Sequence, residues 1–515
     1  MKPRTAFALI VTALLGFGGA GVARSQPSAP ITPAARAAWG LDQAGLQPHP
    51  GVRLGVLANG MRLALMPNAA PAGGLSVRLH IDAGAAVEGA REQGFMHLIE
   101  HMIFHGSRNI PEGALPMMLA RGGLTRWTDF SAYTTYDETV YRLELGRADV
   151  GARGTALLLM REIADRLRFT DGNVAGAKLK VREEIEGRDA MQDRLASAQN
   201  SFLLPGTSLD RGPVAGGQAD VRRADPDGLR RLYGSWYVPG RATLVLVGDF
   251  DPALVESEIA ARFSDWRAGG AEGAPQPPGA VRAGRGIEAR AFIDRAAPTA
   301  VTIASVRAIG GAGDSGADRD ERFLAGLGSE MLGRRLARLA RAPHSPLTGA
   351  TAAIYDHFSA ARVASLDLAA NERDWRGALR LGAAELRRAI DGGFTQAELA
   401  EQLAGSRRGL AASSAPRTSP ALADAIVDAV GRGLVFTQPG NPAAADAYLA
   451  QVRLAAVNAA FRAAWASADR LIFVSHDRPV PRAQAAIRET WLASFDAPAG
   501  AGPNPRAAVV ARPGE

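Results

Sequence analysis

The sequence predicts an α+β protein with two domains of similar fold. Residues 237–266 and residues 466–495 repeat one order of elements: an apolar strand, a turn and a helix. Between them lies RAGGAEGAPQPPGA, a proline- and glycine-rich stretch beginning at Arg267 that is typical of a linker. A chain of 515 residues is also too long for one compact core. We therefore predict that the domains divide near residue 275.

Strands and helices alternate in the first predicted domain. Residues 52–68 indicate a hairpin with Asn59-Gly60 at its turn, because this dipeptide favours two-residue hairpin loops. A third strand is predicted at 75–84, followed by a helix at 94–105 that ends at Gly106. The other predicted elements are a short helix within 111–123, a long strand region rich in Thr and Tyr at 128–145, and a helical pattern from 152 to 200 with a break near 169–173.

The N-terminus has the features of a secretory signal peptide. A basic start is followed by an apolar stretch from Ala6 to about Val22 and by ARS before Gln26, which fits cleavage after Ser25. The alternative, an uncleaved membrane anchor, is disfavoured because the stretch is short and rich in glycine. The chain has no cysteine, so it offers neither a lipoprotein acylation site nor a disulfide. We predict an exported, periplasmic protein without a stable membrane anchor after cleavage.

The predicted organisation has six segments. In order they are the signal peptide (1–25), a mature N-terminal segment (26–48), a first domain (49–266), a linker (267–287), a second domain (288–495) and a disordered tail (496–515).

The net charge of +7 does not predict a nucleic-acid-binding protein. Lys2, Arg4 and Arg24 contribute three of these charges in a segment without acids, and subtracting three from seven leaves +4. The other Arg residues are interleaved with Asp and Glu, and no run of Lys and Arg contains aromatic residues. We expect a solvated surface rather than a phosphate-binding patch.

Three of the eight histidines fall in GFMHLIEHMIFHGS, residues 94–107, at a spacing of four. Helical residues four apart share one face, so His97 and His101 can direct their imidazoles at one point with Glu100 beside them. Two imidazoles and a carboxylate suit a catalytic zinc ion and a general base for the attacking water. The alternative is a solvated helix with two chance histidines. Apolar neighbours argue against it: Phe95, Met96, Leu98, Ile99, Met102, Ile103 and Phe104.

A catalytic zinc site needs a third protein ligand and an open position for water. The third ligand is expected from a neighbouring helix, and KLKVREEIEGRDAMQDRL carries Glu183, Glu184 and Glu186 at helical spacing. The spacing alone does not choose among these three carboxylates.

An ordered set of stretches resembles the M16 family of inverzincin metallopeptidases, the group of pitrilysin, insulysin and the processing peptidases. The set is HLIEHMIFHGS, DFSAYTTYDETVY, VREEI and LRRLYGSWYVPGRATLVLVGDFDP, and the resemblance covers roughly residues 50–490. It implies two α/β-roll domains that form one half of a clamshell. A second M16-like half, in a homodimer or a heterodimer, would close it around an unstructured peptide. The implied activity is that of an exported zinc endopeptidase acting on peptides or small unfolded proteins.

The resemblance assigns roles to particular residues. It implies one zinc per chain held by His97, His101 and Glu184, with Glu100 as general base and Glu183 as the second choice for the third ligand. The family pairs the substrate backbone with an edge strand, which corresponds here to Ser131, Ala132 and Tyr133. Ser131 stands where the family usually has Asn.

Several positions depart from the pattern of active relatives. Ala177 stands where they often have a Glu that supports the metal ligands, and such a loss typically costs about 10- to 100-fold in metal affinity or activity. Arg341 matches an Arg that clamps the substrate carbonyl, but Thr348 stands near the position of the companion Tyr. His105 is expected at the cleft side of the helix end. The alternatives are therefore a catalytically weak or silent peptide-binding subunit, and a zinc-binding module unrelated to proteolysis.

Overall fold

The computed structural model describes residues 31–121, 129–269, 273, 279–309, 314–358, 360–371, 373–412, 417–437 and 442–494. The predicted signal peptide, the predicted tail and much of the predicted linker lie outside the described residues. The described chain forms two β-sheets with helices packed on them, which confirms the predicted α+β class. No helix within the described ranges is long and apolar enough to cross a bilayer.

The strands are β1 (Arg53–Val56), β2 (Arg62–Pro67), β3 (Leu75–Ile81), β4 (Phe130–Thr134), β5 (Thr139–Leu145), β6 (Ala242–Gly248), β7 (Ile287–Ile293), β8 (Ala300–Ala308), β9 (Leu347–His357), β10 (Ala361–Ala370) and β11 (Arg470–His476). The helices of the first half are α1 (Pro33–Ala38), α2 (Leu41–Ala44), α3 (Phe95–His101), α4 (Leu115–Arg121), α5 (Val150–Asp165), α6 (Asp171–Gly187), α7 (Ala190–Leu203), α8 (Gln218–Arg223), α9 (Pro226–Trp236) and α10 (Pro252–Phe263). The helices of the second half are α11 (Gly316–Ala340), α12 (Trp375–Asp391), α13 (Gln396–Ala412), α14 (Ser419–Gly431), α15 (Pro442–Gln451), α16 (Leu454–Ala464) and α17 (Ala483–Ala493).

The two sheets share one topology. The first has the order β1-β2-β6-β3-β5-β4 and the second β7-β11-β8-β10-β9. Strands β2 to β6 of the first sheet correspond to strands β7 to β11 of the second. In each set the strands that come first and last in the chain pair in parallel, β2 with β6 and β7 with β11. The other neighbours in each set are antiparallel. The repeat inferred from residues 237–266 and 466–495 therefore marks the last strand and helix of each unit. The edge strands β4 and β9 occupy equivalent positions.

The region predicted as one long strand, 128–145, is a hairpin in its described part. β4 and β5 are antiparallel neighbours, and residues 135–138 form the turn between them. The hydroxyl of Thr135 accepts hydrogen bonds from the backbone N–H groups of Asp137 and Glu138, which closes the turn without glycine or proline. Because a threonine side chain closes the turn, the Thr- and Tyr-rich sequence has no glycine or proline to mark the boundary between β4 and β5.

Each sheet buries one face under its own helices. On the first sheet, α3, α5, α6, α9 and α10 cover a core that includes Leu79, Ile99 and Leu157. On the second, α11, α12 and α16 cover a core that includes Leu332, Leu366 and Phe461. Burying each such side chain stabilises the fold by roughly 1.5–3 kcal/mol, and a chain without cysteine depends on this burial.

The opposite face of the first sheet is covered by segments from both halves of the chain. α2, which lies in the predicted N-terminal segment 26–48, packs there with α14 from the second half, and Ile31 and Trp39 on either side of α1 pack against the same cluster. α14 crosses β3 and β6 and inserts Ile426 and Val427 against Val245 and Val247. The two units are therefore interlocked, since a helix from the second half completes the sandwich of the first.

Candidate zinc centre

The helix α3 is fixed at its N-terminus by a buried carboxyl group. Gly94 begins the helix with φ +82, and a Cβ there would lie 2.4 Å from the carbonyl oxygen of Ala215. The side chain of Glu88 accepts hydrogen bonds from the N–H groups of Gly94 (2.9 Å) and Met96 (2.8 Å). Burial raises the pKa of Glu88 to about 8. The start of the helix, and with it His97, is thus set by specific contacts.

The predicted helix 94–105 is α-helical only in its first part. α3 stops at His101, and residues 102–105 continue as a 3₁₀ turn before Gly106 with φ +110. The α-helical part is long enough to bring His97 and His101 together, because they are four residues apart. Their Nε2 atoms are 3.3 Å from each other.

Glu184, on α6, completes a triangle with the two histidines. Its Oε2 lies 3.4 Å from the Nε2 atoms of both His97 and His101. Ligands about 2.0–2.2 Å from a tetrahedral zinc ion are separated by about 3.3–3.5 Å, so the three edges fit one face of such a tetrahedron. Hydrogen bonds from His101 and His97 hold the pKa of Glu184 well below its usual range. Three nitrogen and oxygen donors with these separations fit zinc.

Glu100 lies beside this triangle in a different environment. Its side chain is buried, and its Oε2 accepts a 2.6 Å hydrogen bond from the hydroxyl of Thr134 on β4. Burial raises the pKa of Glu100. Ligand atoms of His97, Glu100 and His101 also lie within 4.8 Å of one another, but the shorter and more even distances favour Glu184 as the third ligand.

Glu184 and Glu183, the first and second choices for the third ligand, point in different directions on α6. Glu183 forms an ion pair with Lys180 at 2.9 Å, and its side chain is 54% exposed. Glu184 instead pairs with Arg188 through its second oxygen at 2.6 Å. Arg188 thereby orients the carboxylate from outside the triangle, a role that the sequence analysis missed. An Arg four residues after the Glu, at the C-cap of α6, was the available signal.

The second ring nitrogen of His97, Nδ1, bears on how firmly this histidine is held in place. The Nδ1 atom is buried, and no hydrogen-bond partner for it occurs in the described part of the chain. Histidine ligands usually donate this N–H to a carboxylate, carbonyl or water. Ala177, at the position where active relatives often carry a Glu, is fully buried on α6. A reduced outer shell at this site stays a prediction.

The predicted substrate strand is β4, at the edge of the first sheet. Among the described residues its backbone pairs with β5 alone. Ser131 is exposed, Ala132 packs against the core, and Tyr133 turns to the opposite face of the sheet. The same strand carries Thr134, so the residue that contacts Glu100 belongs to the candidate docking strand. The sequence analysis did not single out Thr134.

Three other predicted residues lie apart from the triangle. His105 faces Glu112 at 3.4 Å and packs against Gly176. Arg341 is exposed at the C-terminal cap of α11, and Thr348 is exposed on β9 with a 3.4 Å hydrogen bond to the carbonyl of Ala369. Within the described residues, no hydrogen bond or ion pair joins any of the three to the zinc candidates. Their roles in substrate contact stay predictions.

Two family models match the chain. The model described as Insulinase (Peptidase family M16) matches residues 63–203, and that described as Peptidase M16 inactive domain matches residues 223–405. The first match includes His97, Glu100, His101 and Glu184.

Curated proteins with similar sequences include named proteases. The chain is 32% identical over 198 residues to the probable zinc protease PqqL of Escherichia coli (strain K12), covering 38% of this chain and 21% of that protein. It is 28% identical over 211 residues to the chloroplastic stromal processing peptidase of Oryza sativa subsp. japonica, covering 40% and 16%. The aligned region therefore spans about a fifth or less of these relatives.

Solved structures match over most of the chain. The first half of the periplasmic protease PqqL from Escherichia coli superposes with a TM-score of 0.76 at 21% identity, covering 87% of this chain and 97% of that half. The same comparison covers 50% of whole PqqL. Pitrilysin gives 0.63 at 14% identity, covering 86% of this chain and 48% of pitrilysin. These likenesses establish the fold as that of one half of such proteases.

Proposed function

The chain belongs to the M16 peptidase family, and from this premise we propose that it is the zinc-bearing half of an exported endopeptidase. Its substrates would be peptides or small unfolded proteins. The observation that carries the proposal is the even triangle of His97, His101 and Glu184, with buried Glu100 beside it. A structural histidine pair would not require two carboxylates in these two different environments.

The proposed chemistry divides roles between the triangle and Glu100. His97, His101 and Glu184 would hold a zinc ion, which would supply Lewis-acid polarisation of the scissile carbonyl and activate the attacking water. Glu100 takes the proton of that water and passes it to the leaving amine. Burial raises the pKa of Glu100, which makes its carboxylate a stronger base for this role. Thr134 holds one oxygen of Glu100 and leaves the other free for the proton.

Peptide binding is assigned to the free edge of β4. An extended peptide can add a strand there through main-chain hydrogen bonds, which give affinity with little sequence preference. Because Thr134 lies on β4 and contacts Glu100, a peptide paired with β4 would run past the base. The exposed side chain of Ser131 would contact the peptide directly, in place of the usual Asn.

We expect the purified chain to hydrolyse peptides poorly alone and to gain activity when a second M16-like half is added. The extent of the fold is half of the matched proteases, and Thr348 lacks the phenol expected for a substrate clamp. Positioning of the carbonyl is worth several kcal/mol, so its supply by a partner should raise kcat and leave zinc content unchanged.

The measurement is peptide turnover and metal content with and without the partner, on fractions whose size is determined in the same run. A partner variant that lacks its own clamp Tyr is the control and should lose most of the gain. Full activity from a strictly monomeric chain would contradict the two-half proposal and leave the zinc chemistry in place.

Export is proposed from the first 26 residues, with periplasmic PqqL as a similar protein. We expect the mature chain to begin at or near Gln26. N-terminal sequencing of protein from the exported fraction checks this, and a sequence starting at Met1 would contradict it.

The second candidate function is that of a catalytically weak or silent subunit that binds peptides or supports a partner half. The buried Nδ1 of His97, for which the described residues offer no hydrogen-bond partner, favours it, because a poorly held ligand weakens the metal site. Substoichiometric zinc, together with peptide binding but no turnover in the presence of any partner half, would establish this alternative.

A further inference from the structure

The turn of the β4–β5 hairpin, residues 135–138, is held from two sides by residues from the second half of the chain. The hairpin carries the candidate docking strand β4, and Thr134 at its end contacts Glu100. The position of this turn therefore affects where the edge strand lies and how Thr134 meets Glu100. Both contacts come from outside the stretch that contains the zinc candidates.

The first contact is aromatic. Tyr136 packs edge-to-face against Phe358, with ring centroids 4.9 Å apart. Phe358 follows β9 and has φ +50, a left-handed conformation that costs energy in a bulky residue and so requires support from its surroundings. The hydroxyl of Tyr136 donates to the carbonyl of Gly212 at 2.7 Å, which fixes the ring from the other end. One side of the turn thus rests on the second sheet.

The second contact is polar and lies behind the sheet. Glu138 accepts a 3.2 Å hydrogen bond from the hydroxyl of Tyr133 and makes a 2.9 Å contact with the buried ring of His80, a close approach rather than an aligned hydrogen bond. The C-terminal end of α14 abuts this carboxylate. A Cβ at Gly431 would lie 2.1 Å from Oε2 of Glu138. A methyl group added at position 431 would therefore require the Glu138 carboxylate to move.

The position of α14 is itself fixed on the first unit. Asp424 forms ion pairs with Arg78 on β3 and Arg142 on β5, and Arg78 is fully buried. At the start of the helix, Asn68 donates a 3.0 Å hydrogen bond to the hydroxyl of Ser419. Losing a partner from such a buried pair is costly, so α14 is expected to stay in place when its end is altered.

We propose that the second, catalytically silent unit positions the peptide-docking strand, with Gly431 and Phe358 as positioning residues that act through Glu138 and Tyr136. The inference rests on the proposed peptidase function. The second unit would thereby set the edge strand rather than contribute to the chemistry. Phe358 lies within residues 223–405, which match the family model described as inactive domain, and Gly431 lies beyond them.

The test uses Gly431→Ala in the full chain. An alanine there requires the Glu138 carboxylate to move, and we expect this move to break the hydrogen bond that its Oε1 accepts from Tyr133. We expect KM for a peptide to rise by about five- to tenfold, the effect of one lost hydrogen bond, with kcat and zinc content little changed. Tyr133→Phe, which removes only the hydroxyl that bonds Glu138, should raise KM in the same direction without adding volume.

Gly409→Ala is the matched control. Gly409 is an exposed glycine in α13 with nothing within 4 Å of the added methyl group, so it makes the same change without touching the turn. Equal KM values for Gly431→Ala, Gly409→Ala and the unaltered chain would overturn the inference and leave the peptidase proposal intact.

A second readout does not depend on peptidase activity. Hydrogen exchange of the backbone amides in β4 and in the turn should be faster in Gly431→Ala than in Gly409→Ala. Unchanged exchange would overturn the inference even if the unaltered chain cleaves nothing. Faster exchange in a chain that neither binds nor cleaves peptides would support the positioning of the strand and refute only the proposed function.

Discussion

Replacing Glu100 with glutamine is expected to lower peptide turnover by several orders of magnitude and to leave the zinc content unchanged. Glutamine has nearly the same shape, and its amide oxygen can still accept the hydrogen bond from Thr134. It cannot take a proton. General acid–base catalysis alone contributes roughly 10²- to 10⁴-fold, and here one residue would serve both steps. Stability should not suffer, because the change removes a buried ionisable group.

The measurement is kcat with metal content on the same sample, in the presence of a partner half. Thr134→Val is the graded control: it leaves the carboxylate but removes its hydrogen bond, so the loss should be smaller. Near-normal turnover of Glu100→Gln would assign the base elsewhere. Loss of zinc together with activity would make Glu100 a metal ligand, a possibility that its place within 4.8 Å of both histidines makes worth testing.

The parts of the site that local periodicity determines could be predicted from the sequence. A spacing of four on a helix brings His97 and His101 together whatever the tertiary structure, and a 3.3 Å separation is the result. Neighbouring carboxylates are different, because Glu183 and Glu184 lie about 100° apart around the helix axis. Helical periodicity allows only one of them to face α3, and the packing of α6 against α3 decides which one does.

The parts that tertiary packing determines could not be predicted. Thr134 reaches Glu100 only because β4 pairs with β5 at the edge of the sheet nearest α3. α14 has the sequence of an ordinary apolar helix, and nothing in it indicates that it covers the first sheet rather than the second. The shared topology of the two sheets was detectable only at the last strand and helix of each unit.

The four-residue spacing of the histidines places them on one face only as far as His101. A third residue at that spacing would share the face only if the α-helix continued. Residues 102–105 form a 3₁₀ turn instead, with three residues per turn rather than 3.6, so His105 departs from the line of the other two. It faces Glu112 and Gly176. Because His105 lies outside the triangle, a variant at this position can serve as a control for the zinc site.

Replacing His97 or His101 with alanine is expected to abolish zinc binding and activity together, whereas His105→Ala should retain both. Each of the first two contributes one corner of a triangle with edges of 3.3–3.4 Å, and two remaining donors cannot hold a catalytic zinc ion. Glu184→Gln should lower zinc affinity by more than the roughly 10- to 100-fold typical of losing an outer-shell partner, while Glu183→Gln should change it little.

Metal analysis and thermal unfolding with and without a chelator check this set of variants. A ligand that binds only the folded state stabilises it, by about 2.7 kcal/mol at a hundredfold excess over Kd. Chelation should therefore lower the Tm of the unaltered chain and of the two control variants, His105→Ala and Glu183→Gln. The Tm of His97→Ala and His101→Ala should not respond, since they have no zinc to lose. Equal zinc content across all variants would refute the site, and a loss confined to Glu183→Gln among the glutamates would move the third ligand by one residue.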